Sequence, residues 1–303
     1  MPPAERSARR PVDPAALAQV LQRVQRAPQA PWLHGEVARR MAERLAVIRL
    51  RPETVIDWGA FPGGSRALLA AAYPRARLVA VEAGAARRDA TAAALDTPWW
   101  SPRRWAAGPA AVVTEAELGA AQGQLLWSNM ALHGAIDPQA VMAVWHRALQ
   151  AGGFLMFSTL GPGSLEGLRT LYAARGWPPP HAPVVDMHDL GDMLVAAGFA
   201  DPVMDQETVT LTWPSGQALL AELRQLGGNV DPRRFAGLRT PRWRRRLAEA
   251  LEADAGADGR PRLAFEVVYG HAFRAAPRPR VAAETTVPLE DLRAMARTGR
   301  HRT

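Results

Sequence analysis

The chain has 303 residues, 48% of them hydrophobic, enough for one large domain or two small ones around a substantial core. Its formal charge is +8, it has no cysteine, and all 37 of its Lys+Arg cations are arginine. Disulfides, cysteine-ligated zinc, iron–sulfur clusters, thiol nucleophiles, Schiff-base lysines and P-loop lysines are thereby excluded.

From the N-terminus, Met1 to Asp13 is polar and rich in proline and arginine, the composition of a disordered segment. It lacks the apolar stretch of a secretory signal, and no later run approaches the ~20 apolar residues of a membrane span. A cytoplasmic location is expected. Asp13 reads as the N-cap of a helix to about Arg26. After the break at Pro28–Pro31, a second amphipathic helix is expected from Leu33 to Leu50, with Val37, Met41, Leu45 and Ile48 near helical spacing.

Short apolar runs then alternate with helical patterns. Strands are expected at 54–58, 77–82, 124–128 and 153–159, with helices at 63–73, 85–95 and 138–149. This repetition predicts a doubly wound α/β fold, a mostly parallel sheet covered on both faces. Further on come a helix within 184–198 opened by Asp186 or His188, a strand at 203–213, helices at 217–226 and 241–253, and a strand at 263–273. Two late strands separated by helices suit an antiparallel edge with a helical insertion at about 214–262. The tail from Ala275 to Thr303 is expected to be mobile, with one weak helix near Leu289–Ala296.

The segment Asp57-Trp58-Gly59-Ala60-Phe61-Pro62-Gly63-Gly64-Ser65 joins the first expected strand to its helix. A glycine-rich turn there lets the backbone bend sharply and a nucleotide approach the helix N-terminus. Glu82, at the end of the next strand, is placed to accept ribose hydroxyls. An ordinary strand–turn–helix with a solvated glutamate explains the same residues equally well. The G-x-G-x-x-G spacing of dinucleotide folds fails here, because Ala60 and Phe61 follow Gly59. Asp57, Gly59, Pro62 and Gly63 match instead the D-x-G-x-x-P-G pattern of class I S-adenosylmethionine-dependent methyltransferases.

Three later segments narrow the resemblance: 126–132 (LWSNMAL), 157–169 (FSTLGPGSLEGLR) and 186–205 (DMHDLGDMLVAAGFADPVMD). In order and wording they resemble the malonyl-acyl-carrier-protein O-methyltransferases of biotin synthesis, and 219–224 and 265–273 fit the same family. The resemblance covers about Pro11 to Arg274. It implies a Rossmann-like class I methyltransferase fold, S-adenosyl-L-methionine as cofactor, and methyl transfer to the carboxylate of a malonyl thioester on carrier protein or coenzyme A. A carboxylate is already anionic at neutral pH, so that chemistry needs proximity, desolvation and orientation but no general base.

By the resemblance, Asp57, Gly59, Phe61 and Gly63 line the methionine end of the cofactor and Glu82 its ribose. Ser128 and Asn129 stand at the rim where the reactive methyl sits, although simple strand-end capping is an equal reading for Ser128. Arg169 and His188 are candidates to orient a carboxylate, with surface ion pairing as their plainer role. Trp127 reads as core, and His133 either points into the site or sits in a loop, the loop being the plainer reading.

The chain departs from the family pattern at several points. Phe61 stands where the loop usually has glycine, and Ala60 where it has Cys or Ser. The stretch 108–124 lacks the Asp that helps hold adenine, with Glu115 or Glu117 as substitutes. Gln124 stands where an Asp usually precedes the strand, and Ala27–Pro31 where a Tyr-Asp pair is often seen. A weak or inactive binding protein or assembly factor on the same scaffold therefore stays open as the alternative.

Between 233 and 246 lie Arg233, Arg234, Arg239, Arg242, Arg244, Arg245 and Arg246, with no acid among them. A solvated helix face is the plain reading. The sharper one is docking of an acidic acyl carrier protein through Arg233, Arg234, Arg242, Arg244, Arg245 and Arg246. Nucleic acid ranks last, since only Phe235 and Trp243 accompany the arginines as stacking surfaces.

Overall fold

The computed structural model describes residues 9–95, 111–276 and 290. Two helices lead, α1 (Pro14–Gln25) and α2 (Trp32–Arg44). The alternating part follows as β1 (Thr54–Trp58), a single turn α3 (Ala60–Gly63), α4 (Arg66–Ala72), β2 (Arg77–Glu82), α5 (Ala85–Leu95), β3 (Ala111–Thr114), β4 (Gly123–Ser128), α6 (Pro138–Ala148) and β5 (Leu149–Leu160). Then come α7 (Glu166–Ala174), α8 (Met187–Ala196), β6 (Ala200–Thr212), α9 (Gly216–Leu226), α10 (Pro241–Ala253) and β7 (Arg262–Phe273).

The seven strands form one sheet in the order β3-β2-β1-β4-β5-β7-β6. Pairings from β3 across to β5 are parallel, while β7 lies antiparallel to both β5 and β6, which is the expected antiparallel edge. The strand order reverses between β1 and β4. Such a switch point opens a crevice at the carboxyl ends of the strands, where doubly wound sheets hold ligands.

Alternate strand residues feed two separate cores. Val55, Leu125, Trp127, Phe154 and Met156 face one side, packed with Leu33, Val37 and Met41 of α2, Leu69 of α4 and Leu168 of α7. Ile56, Leu126, Leu155 and Phe157 face the other, against Met142 and Trp145 of α6 and Leu190 and Leu194 of α8. Burial on both faces explains why these strands read as continuous apolar runs. Helix starts follow local chemistry. Asp13, Asp137, Asp186, Ser215 and Thr240 each accept a backbone N–H of the first turn, and Pro14, Pro138 and Pro241 supply a pre-set φ at N1.

Several boundaries differ from the sequence reading. The helix expected from Leu33 to Leu50 ends at Arg44, followed by a 3-10 turn. The one expected from Gly63 to Tyr73 is split by Gly64, whose φ of +64° interrupts the spiral. β3 and α7 were not legible as elements. Arg10 of the leading segment is fixed in place: its backbone N–H donates to the Ile136 carbonyl at 2.8 Å, and its guanidinium to the Pro183 and Ala135 carbonyls. The helices α9 and α10 occupy the expected insertion between β6 and β7. Met1–Ser7 and the expected tail helix near Leu289–Ala296 lie outside the described residues, Glu290 excepted. Among the described residues no helix is long and apolar enough to cross a membrane.

Candidate functional site

The loop after β1 is built around two left-handed glycines. Gly59 has φ +68° and Gly64 φ +64°. A Cβ at Gly59 would stand 3.2 Å from the Ala131 Cβ, so both conformation and space demand glycine there. Phe61 has no positive φ. The aromatic residue therefore gives up no backbone freedom that this loop uses. Its ring lies under the Arg87 guanidinium, 3.7 Å from centroid to Cζ, and its N–H donates to Glu82 Oε1 at 3.1 Å. Thr91 Oγ1 donates to the same carboxylate oxygen at 2.8 Å.

Two buried carboxylates sit beneath this loop. Asp57 is 3% exposed, and its Oδ1 has no hydrogen-bond partner among the described residues. Burial, reinforced by the neighbouring Glu82 charge and opposed by Arg66, pushes its pKa up to about 7. Glu82 is 1% exposed, and burial raises its pKa as well. An uncompensated buried carboxylate at a switch-point crevice is a receptor for a cationic or hydroxyl-bearing ligand. The arrangement fits the ammonium and ribose of S-adenosylmethionine.

At the rim of β4, Asn129 ties three segments together. Its Nδ2 donates to the His34 carbonyl at 2.7 Å and to the Gly63 carbonyl at 2.6 Å, while its Oδ1 accepts from Ser158 Oγ at 2.7 Å. The side chain thus holds the loop's shape. Ser128 Oγ is buried without a partner, so it does not cap the strand end. Trp127 is core, as expected: it is fully buried, and its Nε1 donates to Ser65 Oγ at 2.7 Å. Gln124 accepts the Thr54 N–H at 2.9 Å and so anchors the start of β1.

The structure brings together Asp57, Gly59, Phe61, Gly63, Glu82, Ser128 and Asn129. It gives Arg169 and His188 other partners. Arg169 Nη1 donates to the Pro162 carbonyl at 2.6 Å, holding the turn after β5. His188 is 85% exposed on the first turn of α8 and bonds to the N-cap Asp186. Glu117 accepts the Thr114 N–H and pairs with Arg88. In the arginine cluster, Arg233 pairs with Asp231 and Arg234 with Asp13. Arg239 is stacked on Phe235 and Trp243. Arg242, Arg244, Arg245 and Arg246 are exposed along α10.

Sequence reasoning missed Arg10 and preferred a loop position to a site role for His133. Both line a cleft with Leu132, Thr159, Val185 and Leu190 over the carboxyl ends of β4 and β5. The signal was an arginine in a segment whose composition reads as loose, tied to its partners by contacts more than a hundred residues away.

No family model matches the chain. A malonyl-[acyl-carrier protein] O-methyltransferase of Laribacter hongkongensis is 39% identical over 257 residues, covering 83% of this chain and 86% of the relative. The chain belongs to the malonyl-[acyl-carrier protein] O-methyltransferase family. A member from Gallionella capsiferriformans is 36% identical over 81% of this chain and 85% of its own length. Among solved structures, YcgJ of Bacillus subtilis covers 80% of this chain at TM-score 0.53 and 9% identity. A putative methyltransferase of Bacillus halodurans covers 80% at 0.52 and 13%. These two share the Rossmann-like methyltransferase fold, as the sequence reading expected.

Membership also bears on Phe61. Replacing it with glycine is expected to remove the stack on Arg87, worth about 0.5–2 kcal/mol, and to loosen the turn without improving cofactor affinity. Calorimetry with S-adenosylhomocysteine checks this; a tenfold gain in affinity for Phe61→Gly would mean that the ring fills cofactor space.

Proposed function

We infer that this protein transfers a methyl group from S-adenosylmethionine to the free carboxylate of a malonyl thioester, the reaction for which its family is named, as part of biotin synthesis. The observation that carries the reading is 39% identity to a member of that family over 83% of the chain, combined with a loop beneath which the buried Asp57 carboxylate has an unpartnered oxygen that calls for a cationic ligand. When bound, the cofactor supplies an electrophilic sulfonium methyl to the carboxylate oxygen, giving a neutral ester and the thioether S-adenosylhomocysteine.

The chain's own residues handle placement. Asp57 meets the methionine ammonium, Gly59 and Gly63 admit the ligand backbone, and Glu82 accepts from the ribose with Phe61 beside it. Asn129 fixes the loop, and the Ser128 hydroxyl stands near the transfer point. Arg169 supports the turn after β5. His188, at the exposed start of α8, is engaged by the N-cap Asp186. No base is needed, because the acceptor arrives ionised. A non-enzymatic binding protein has less support, since the ring of Phe61 is turned to Arg87 and the glycines of the loop keep their conformation.

The acceptor's carrier is an acidic acyl carrier protein docking on the exposed arginines of α10, Arg242, Arg244, Arg245 and Arg246, with Arg233 and Arg234 at the margin held by Asp231 and Asp13. Electrostatic docking of this kind weakens with salt. Methyl transfer from labelled S-adenosylmethionine to malonyl-acyl carrier protein and to malonyl-coenzyme A tests both parts. Transfer to both substrates is expected, with only the carrier-protein KM rising steeply with salt and in Arg242→Glu/Arg246→Glu. Absence of transfer to either substrate would sink the reaction, and a salt-independent KM would sink the docking face.

A further inference from the structure

Resting on that reading, the structure leads one step further, to the group that recognises the acceptor. Arg10 comes from the N-terminal segment but lines the cleft over the carboxyl ends of β4 and β5. Its Nη1 donates to the His133 and Ala135 carbonyls, and its Nε and Nη2 both reach the Pro183 carbonyl, at 3.1 and 2.8 Å. These bonds leave one of the guanidinium's five N–H groups, on Nη2, without an acceptor among the described residues. No carboxylate lies within ion-pair distance of Arg10 among the described residues; neighbouring Asp137 is engaged by Arg9 at 3.9 Å. Burial lowers the Arg10 pKa, with no acid to offset it. A partly buried cation held only by carbonyls has its charge unbalanced.

His133, whose carbonyl accepts from Arg10, lines the same cleft, and its Nδ1 is buried without a hydrogen-bond partner among the described residues. Burial, then the nearby charges of His34 and Arg10, push its pKa down to about 3, so the ring is neutral across the working range. It offers a ring nitrogen for hydrogen bonding without demanding a counter-ion. His181 nearby also has a buried ring nitrogen, Nε2, without a partner, and it feels both Arg10 and Arg169. The cleft adjoins the cofactor loop. The His133 ring is 6.3 Å from that of His34, whose Nδ1 donates to the Pro62 carbonyl at 2.7 Å and whose own carbonyl takes Asn129. Leu132, Val185 and Leu190 supply apolar walls.

We propose that Arg10 and His133 form the carboxylate-binding end of the acceptor site, in which Arg10 engages one oxygen of the malonyl group while the other faces the transferable methyl. The arginine is a specificity determinant contributed by a segment outside the sheet. Its second role is to tie the 132–136 and 183 turns together, so a change at Arg10 has a structural component that the experiment must separate.

The test uses the full chain and three ligands: malonyl-coenzyme A, its monomethyl ester, which is uncharged at the malonyl end, and S-adenosylhomocysteine. Arg10→Gln is expected to raise the KM for malonyl-coenzyme A roughly 10- to 100-fold, the value of a hydrogen-bonded charge pair. Its affinities for the ester and for S-adenosylhomocysteine should stay within about twofold, since neither carries the recognised carboxylate. Arg10→Lys, which keeps the charge, should recover part of the loss. His133→Ala should raise the same KM without moving the ester affinity. An equal loss for all three ligands would reduce Arg10 to a tie between loops and overturn the proposal. So would an unchanged KM in Arg10→Gln while the wild type is active. A wild type that binds S-adenosylhomocysteine yet never methylates malonyl-coenzyme A or malonyl-acyl carrier protein would instead bring down the functional reading beneath.

Discussion

Asp57→Asn is expected to weaken S-adenosylmethionine binding by at least tenfold while making the ligand-free protein more stable at pH 8. The carboxylate is 3% exposed, its Oδ1 has no partner, and burial together with the Glu82 charge holds its pKa near 7 against an ordinary value of 3.8. The sign follows from linkage. Below about pH 4 the group is protonated whether the chain is folded or not, and costs nothing. Between about pH 4 and pH 7 the unfolded chain has released its proton while the folded one retains it, so stability falls as pH rises, by about 4 kcal/mol at most; above pH 7 the cost is constant. The neutral amide escapes that cost. A bound cationic cofactor offsets the same cost in the wild type, so its binding releases a proton and is weaker at pH 6 than at pH 8. Thermal unfolding of both proteins at pH 5 and pH 8, with calorimetry in two buffers, measures this. An Asp57→Asn protein that is less stable than wild type at pH 8 would show that the carboxylate is compensated and would remove the basis for the ammonium assignment.

Asn129→Ala has the second large effect. The amide is 1% exposed and serves the His34 and Gly63 carbonyls and the Ser158 hydroxyl at 2.6–2.7 Å. Alanine removes one hydrogen bond from each of those partners, although the Gly63 carbonyl still accepts from Ser65 Oγ and Ser158 Oγ from the Met130 N–H, and it opens a small cavity. Each lost bond costs about 0.5–1.5 kcal/mol and the cavity adds to it, so a total loss of about 2–4 kcal/mol is expected, several degrees in melting temperature. Cofactor affinity should fall as well, because Gly63 and the turn it belongs to lose their anchor. The measurement is denaturant unfolding beside S-adenosylhomocysteine binding. A destabilisation below about 1 kcal/mol would mean that the three segments are held together by something other than this side chain. The same contacts make Asn129 a positioning residue, whereas the sequence reading had set it beside Ser128 at the reacting methyl.

The contrast between Asn129 and Trp127 shows what kind of statement a sequence supports. Trp127 sits in an apolar run, and a run of that composition is buried wherever the strand goes. Asn129 ends the run, and its meaning depends on which carbonyls arrive from α2 and from the loop after β1. Phe61 teaches the same lesson. A benzyl group where glycine is usual looks like an obstruction, yet the left-handed positions are Gly59 and Gly64, and the ring has a place under Arg87. Arg233 and Arg234 read as members of one basic patch, but their charges are taken up by Asp231 and by Asp13, more than two hundred residues from Arg234.

Local and periodic information was enough to read the alternation of strands and helices, the doubly wound sheet with its antiparallel edge, the N-caps at Asp13 and Asp186, and the family through its motif words. Those features are encoded in short windows, because apolar spacing and capping act over one to four residues; the choice of Asp186 over His188 as the cap of α8 came from the structure. Only tertiary structure decided that β3 is a strand, since its four residues Ala111–Thr114 are half-buried and too few to show a period. It also decided that Asp57 lacks a partner and that Arg10, from a segment of disordered composition, closes a cleft with His133. These are properties of buried charge and of contacts across a hundred residues or more. Their energies depend on what else has been brought near, which no window of sequence contains.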